Sequence, residues 1–156
     1  MTNLGYKVLQ ALAGKTLCTA ESCTGGGIGS SITAIPGSSA VYKGGIISYC
    51  NEIKQSLLQV DQAVLTAYGP VSSPVAEAMA VGARKILQTD VAVSVTGLAG
   101  PGGDEFGNPV GTVFIGCDSA LGTKVREYHF AGDRASVRQQ AVTASLELVL
   151  EILQEQ

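Results

Sequence analysis

Apolar residues recur along the chain in two periods, and the switches between them lay out the elements. Leu4, Val8 and Leu12 repeat at helical spacing, and Gly14 ends that first helix. Thr16 to Ala20 reads as a short strand and Gly26 to Thr33 as a helix. Val41 to Tyr49 reads as a buried strand broken by Gly44-Gly45. Asn51 suits the cap of a helix running to about Gln59. Ser73-Pro74 marks a helix start, with Val75, Met79, Ala83 and Ile86 on one face. Asp90 to Val95 is a continuous apolar run, the pattern of a strand covered on both sides. Gly97 to Pro109 is a loop, and Val110 to Cys117 and Lys124 to Phe130 read as strands joined by the hairpin Ser119–Gly122. Asp133 caps a last helix whose inner face carries Val137, Ala141, Ala144, Leu148 and Ile152.

This order predicts an α/β fold. A single domain over residues 1–156 is expected, layered α/β/α, with a mixed, partly parallel sheet and an antiparallel edge hairpin. No internal repeat or linker interrupts it. Apolar residues make up 46% of the chain, which excludes disorder. The net charge of −3 and the absence of any run of Lys or Arg leave no electrostatic footprint for nucleic acid or an anionic membrane. The apolar runs are too short to span a bilayer, and the first residues lack a signal-peptide pattern. A cytoplasmic location is expected.

Cysteine and histidine usage narrows the chemistry. Cys18, Cys23, Cys50 and Cys117 form no CxxC pair, so neither a zinc site nor a dithiol redox motif is expected. The only histidine, His129, lies in Tyr-His-Phe within a strand pattern, which favours a structural role. A serine or cysteine nucleophile therefore needs another base.

Three polar, glycine-bearing segments follow strands: Glu21–Gly26, Ser48–Glu52 and Thr96–Gly103. Ligands of open α/β sheets bind beyond the carboxyl ends of strands, so their convergence forms the candidate site. Ser22 stands at a strand-to-helix turn, where backbone N–H groups from Thr24 to Gly27 are expected to be free to face an oxyanion or anion. Lys54, near a helix N-terminus, is the candidate base; an exposed lysine is the equal alternative from spacing alone. Cys23 is a rival nucleophile, though an inert buried thiol fits better. Glu21 either orients a base or receives a substrate hydroxyl, and Tyr49 either donates a hydrogen bond or packs. Arg134 and Arg138, one helical turn apart, can clasp a phosphate or simply face solvent.

Six ordered motifs, Thr19–Gly26 (TAESCTGG), Pro36–Lys54 (PGSSAVYKGGIISYCNEIK), Tyr68–Ser72 (YGPVS), Val95–Gly103 (VTGLAGPGG), Pro109–Val113 (PVGTV) and Phe130–Arg138 (FAGDRASVR), resemble the CinA C-terminal domain family. Its enzymatic members are nicotinamide-nucleotide amidases. The resemblance implies hydrolysis of the carboxamide of nicotinamide mononucleotide to nicotinate mononucleotide and ammonia, without metal or organic cofactor, by a self-associated α/β domain of the stand-alone form. It maps the family's serine onto Ser22 and its lysine onto Lys54, keeps Ser39 as a second catalytic candidate, and adds Tyr49 to the catalytic set. Glu21, Cys23, Thr24, Gly25, Thr96, Gly97, Gly100, Gly102 and Arg134 are expected to bind substrate, with amides near Cys23 to Gly25 on the oxyanion. Cys50 stands where members often have serine. The alternative is a nucleotide-binding or protein-interaction module in competence or DNA-damage responses, without turnover.

Overall fold

Five strands form one mixed sheet in the order β2-β1-β3-β4-β5. The computed structural model describes residues 2–155. In chain order the elements are α1 (Thr2–Ala11), β1 (Leu17–Glu21), α2 (Gly27–Thr33), a single 3₁₀ turn (Ser38–Ala40), β2 (Tyr42–Ile47), α3 (Asn51–Ser56), α4 (Gln62–Tyr68), α5 (Ser73–Leu87), β3 (Val91–Gly97), β4 (Thr112–Ser119), β5 (Gly122–His129) and α6 (Arg134–Gln154). β1 pairs in parallel with both β2 and β3, whereas β3–β4 and β4–β5 are antiparallel. This is the mixed α/β sheet with an edge hairpin that the pattern predicts.

Alternation along β1 distributes side chains to two apolar layers. Cys18 and Ala20 pack with Val75, Met79 and Ala83 of α5, and with Leu58, Val60 and Leu65 from the α3–α4 region. On the other face, β3 and β4 place Val91, Val93, Val95, Val113 and Ile115 against Val8 of α1 and Leu12 just after it, Ile28 and Ile32 of α2, and the buried face of α6. Each such fully buried side chain contributes roughly 1.5–3 kcal/mol relative to exposure. α6 is anchored as expected: Asp133 accepts from the Ser136 N–H, and Val137, Ala141, Ala144, Leu148 and Ile152 are all buried.

Two elements differ from the sequence reading. β2 is an edge strand in which half-buried and exposed residues alternate, rather than a buried strand. Its two central glycines have different reasons: Gly44 has a φ of 146, and a Cβ at Gly45 would meet the Thr19 hydroxyl of β1 and, at 2.8 Å, that of Tyr42. The stretch after Asn51 is two short helices, α3 and α4, not one helix to Gln59. Gln59 has φ 61, which ends any α-helical run, and Asp61 caps α4 by accepting from the Ala63 N–H.

Candidate active site

Three turns leave the sheet at one end. β1 hands over to Ser22–Gly26, β2 to Ser48–Cys50 and β3 to the 98–111 loop, and parallel pairing places all three carboxyl ends together. α6 also starts there, because β5 runs to the same end. Between them is a cavity of about 380 Å³ lined by Ser22, Cys23, Tyr49, Asn51, Lys54, Pro70, Val71, Thr96, Gly97, Leu98, Ala99, Gly100, Gly102 and Arg134.

Lys54 projects inward from α3 and is only 1% exposed. Its Nζ donates to the Ser48 carbonyl at 2.8 Å and to Ser22 Oγ at 3.1 Å. Burial lowers its pKa from 10.5 to about 8, against a smaller opposing pull from the Cys50 and Cys23 thiols. The cap of α3 is Cys50, with extended backbone and no side-chain cap bond, so Lys54 is the fourth helical residue rather than the third. Desolvation, not a helix terminus, therefore makes the amine basic in the useful range.

Ser22 is fixed by its backbone. Its N–H donates to the Val95 carbonyl at 3.0 Å, tying the turn to β3, and its carbonyl accepts from the Gly25 N–H at 3.1 Å. The Gly27 N–H is likewise taken by the Thr24 carbonyl. The Cys23 amide has no acceptor in another residue among the described residues. Burial pushes the Cys23 thiol up to about 11, so it sits in the cavity wall as a thiol beside the serine.

The opposite wall comes from Tyr49, the glycine loop and α6. Arg134 donates to the Gly100 carbonyl at 2.7 Å and to the Tyr49 hydroxyl at 3.0 Å, bridging two walls of the cavity. Tyr49 is 61% exposed, so its ring faces the opening rather than the core. Thr96 donates to the Pro70 carbonyl at 2.7 Å, which brings the Tyr68–Ser72 segment up to β3.

Ser22, Lys54, Tyr49, Cys23, Thr96, Gly97, Gly100, Gly102 and Arg134 are thus brought together. Ser39 is not. It is exposed on the 3₁₀ turn before β2, at the end of the sheet opposite Ser22, because β1 and β2 run in parallel. Glu21, Thr24 and Gly25 also lie outside the cavity lining. The Glu21 carboxylate points away, accepting from Thr24 Oγ1 at 2.6 Å and from the Ile28 and Gly29 N–H groups at 2.9 and 3.0 Å. The first amides of α2 are thus taken by the protein's own carboxylate, and of the Thr24–Gly27 amides expected to face an anion those of Gly25 and Gly27 are taken by the Ser22 and Thr24 carbonyls. Arg138 does not join Arg134 on a ligand; it donates to the Cys23 and Thr24 carbonyls. His129 is exposed, contacts Glu127 and Thr112, and takes no part in the cavity.

Asn51, Pro70, Val71, Leu98 and Ala99 line the cavity without having been singled out. Pro70 and Val71 carried a signal, since they belong to a recognised motif; Leu98 and Ala99 carry no chemical handle, and only their place inside the glycine loop marks them.

The profile of the CinA C-terminal domain matches residues 2–153. The chain belongs to that family. A CinA-like protein of Parasynechococcus marenigrum (strain WH8102) is 47% identical over 138 residues, covering 86% of this chain and 33% of the relative. The chain spans about a third of the length of the curated relatives it matches. Among solved structures, a CinA superfamily protein from Klebsiella pneumoniae superposes with a TM-score of 0.96 at 32% identity, covering 99% of this chain and 98% of that one. A CinA superfamily protein from Escherichia coli gives 0.94 at 36% identity, covering 96% and 88%. The layered sheet described above is the CinA fold. Among the described residues, no helix is long and apolar enough to cross a membrane, and no cluster of three or more His, Cys, Asp or Glu residues has the arrangement of a metal site.

Proposed function

We propose that this CinA-family chain is an amidohydrolase that converts nicotinamide mononucleotide and water to nicotinate mononucleotide and ammonia. The observation that carries the reading is the hydrogen bond from buried Lys54 to Ser22 at the floor of a cavity of nucleotide size. A pKa of about 8 leaves about one Lys54 in four neutral at pH 7.5, against about one in a thousand for an ordinary lysine. That fraction makes Lys54 a competent base without a histidine.

Lys54 takes the proton of Ser22 Oγ as the oxygen attacks the carboxamide carbon. The Cys23 amide receives the developing oxyanion; Gly25, spent on the Ser22 carbonyl, does not. The C–N bond breaks as Lys54 returns the proton to the leaving nitrogen, and ammonia departs. Water, deprotonated by Lys54, then attacks the serine ester; the C–Oγ bond breaks as Lys54 returns that proton to Ser22, and the carboxylate product leaves. Arg134 and the Gly100–Gly103 backbone hold the phosphate; a guanidinium carries five donors, and only two of its contacts are to protein. The chain works in the cytoplasm as a self-associated assembly, and needs no metal or organic cofactor for these steps.

The test is ammonia release from nicotinamide mononucleotide by the purified chain, with Ser22→Ala and Lys54→Ala alongside. Turnover lost in both variants supports the amidase. Saturable nucleotide binding by a wild type that releases no ammonia would replace it with a non-catalytic binding module.

A further inference from the structure

Ser22 has to present its oxygen to Lys54 and, one residue later, its neighbour's amide to an oxyanion. Both depend on the turn Ser22–Gly27 holding one shape, and that turn contains three consecutive glycines, two of them at positive φ (58 at Gly25, 105 at Gly26). Glycine adopts such angles without strain but resists collapse to other conformations poorly. Something outside the turn must fix it.

Glu21, 2% exposed, immediately precedes the serine and meets that requirement. One carboxylate oxygen accepts from Thr24 Oγ1 at 2.6 Å and from the Ile28 N–H at 2.9 Å; the other accepts from the Gly29 N–H at 3.0 Å. The turn is therefore stapled at its middle, through Thr24, and at its exit, through the first residues of α2. Charge-assisted bonds of this kind are about twice as strong as neutral ones. A Cβ at Gly29 would meet the Tyr42 hydroxyl at 2.7 Å. The backbone of Glu21 holds the second partner. Its carbonyl accepts from the Ser48 N–H at 2.7 Å, and the Ser48 carbonyl is the acceptor that holds Lys54 Nζ at 2.8 Å. One residue thus sets the nucleophile through its side chain and the base through its main chain.

We infer that Glu21 is a positioning residue, whose carboxylate holds the Ser22 turn in register with Lys54 without touching substrate. The inference rests on the serine–lysine reading proposed above. It assigns to Glu21 a role opposite to that of a ligand for a substrate hydroxyl, and the two roles separate by kinetics. A lost ligand raises KM; a loosened turn lowers the rate at the serine and leaves binding in place.

The experiment uses Glu21→Gln, which keeps size but sets an amide donor against one of the backbone donors, with Thr24→Val and Thr24→Ser. Two rates are read: turnover of nicotinamide mononucleotide, and covalent labelling of Ser22 by a fluorophosphonate, whose chemistry needs the nucleophile but not the substrate. Circular dichroism and thermal unfolding identify the folded fraction. The expected result is a fall of about 10–100-fold in labelling rate and kcat for folded Glu21→Gln, with KM within about threefold. Thr24→Val loses part of that rate, and Thr24→Ser restores it. The labelling rate reads Glu21 whichever amide is hydrolysed, so a wrong substrate does not obscure it. Folded Glu21→Gln that labels at the wild-type rate, or that loses affinity with kcat intact, overturns the inference.

Discussion

Lys54 Nζ lies 3.1 Å from Ser22 Oγ and 2.8 Å from the carbonyl of Ser48, on a side chain that is 1% exposed. A cation so placed has one strong partner, a backbone dipole, and no carboxylate among these contacts. Its pKa of about 8 follows from that shortage of compensation. The rate of Ser22 labelling, and kcat/KM for the amide, should therefore rise with pH and level off above about 8 as the amine loses its proton. A pH–rate profile of the wild type checks this; a profile flat between 6.5 and 9 would falsify Lys54 as the base.

The same burial affects stability. An unfolded chain keeps the lysine proton up to about 10.5, the folded chain only up to about 8. Between these values the unfolded state binds more protons, so stability rises with pH across that window and the charged form is costly below it. The shift corresponds to roughly 3 kcal/mol. Lys54→Met lacks this term. The difference in unfolding free energy, wild type minus Lys54→Met, should climb by that order from pH 8 to 10.5 in urea titrations, while the variant is inactive throughout.

Ser22→Ala and Ser39→Ala should part company. The first should lose turnover by a factor of about 10³ or more while keeping its melting temperature, because the alanine fits the same turn. Ser39, exposed at the far end of the sheet, should tolerate alanine with kcat/KM within about twofold. Parallel assays of the two purified variants decide between them.

Arg134→Ala removes donors to Gly100 and Tyr49 at the cavity mouth. With phosphate held there, KM should rise by about 10–100-fold, the factor expected for a charged hydrogen bond, with kcat much less affected. Binding of the mononucleotide by calorimetry should weaken by the same factor.

Gly82 lies on the face of α5 turned toward Leu58, and a Cβ there would collide with the Leu58 backbone carbonyl. Backbone cannot rotate aside as a side chain does. Gly82→Ala should cost about 1–3 kcal/mol in denaturant unfolding. Because Leu58 follows α3 closely, the displacement should also slow Ser22 labelling.

How much of this was legible depends on the kind of residue. Long periodic faces, such as Val137 to Ile152, read correctly because burial demanded one stripe. β2 misread because an apolar run of Tyr, Ile and Gly does not say whether it is central or at an edge; only the sheet order decides. Asn51 has the composition of a cap, but Cys50 holds the extended backbone that a cap position needs. Ser22 and Lys54 were candidates from their places after strands, but spacing alone left the lysine's burial undetermined, and the motif resemblance added weight. Ser39 and Glu21 were misplaced for one shared reason. Residues that lie near each other in a motif can sit at opposite ends of a strand or on opposite sides of a turn, and sequence distance carries neither fact.

The strand directions have a last consequence. β1, β2 and β3 all point their carboxyl ends at the candidate cavity, so the hairpin tip at Ala120-Leu121 and the turn at Ser38–Ala40 lie at the other extreme. Leu121 is 58% exposed and belongs to no apolar layer. The candidate site and the hairpin tip sit at opposite ends of the sheet. An inserted reporter or a grafted loop at the hairpin tip should cost little more than loop closure. The chemistry and the points of attachment can therefore change independently of each other.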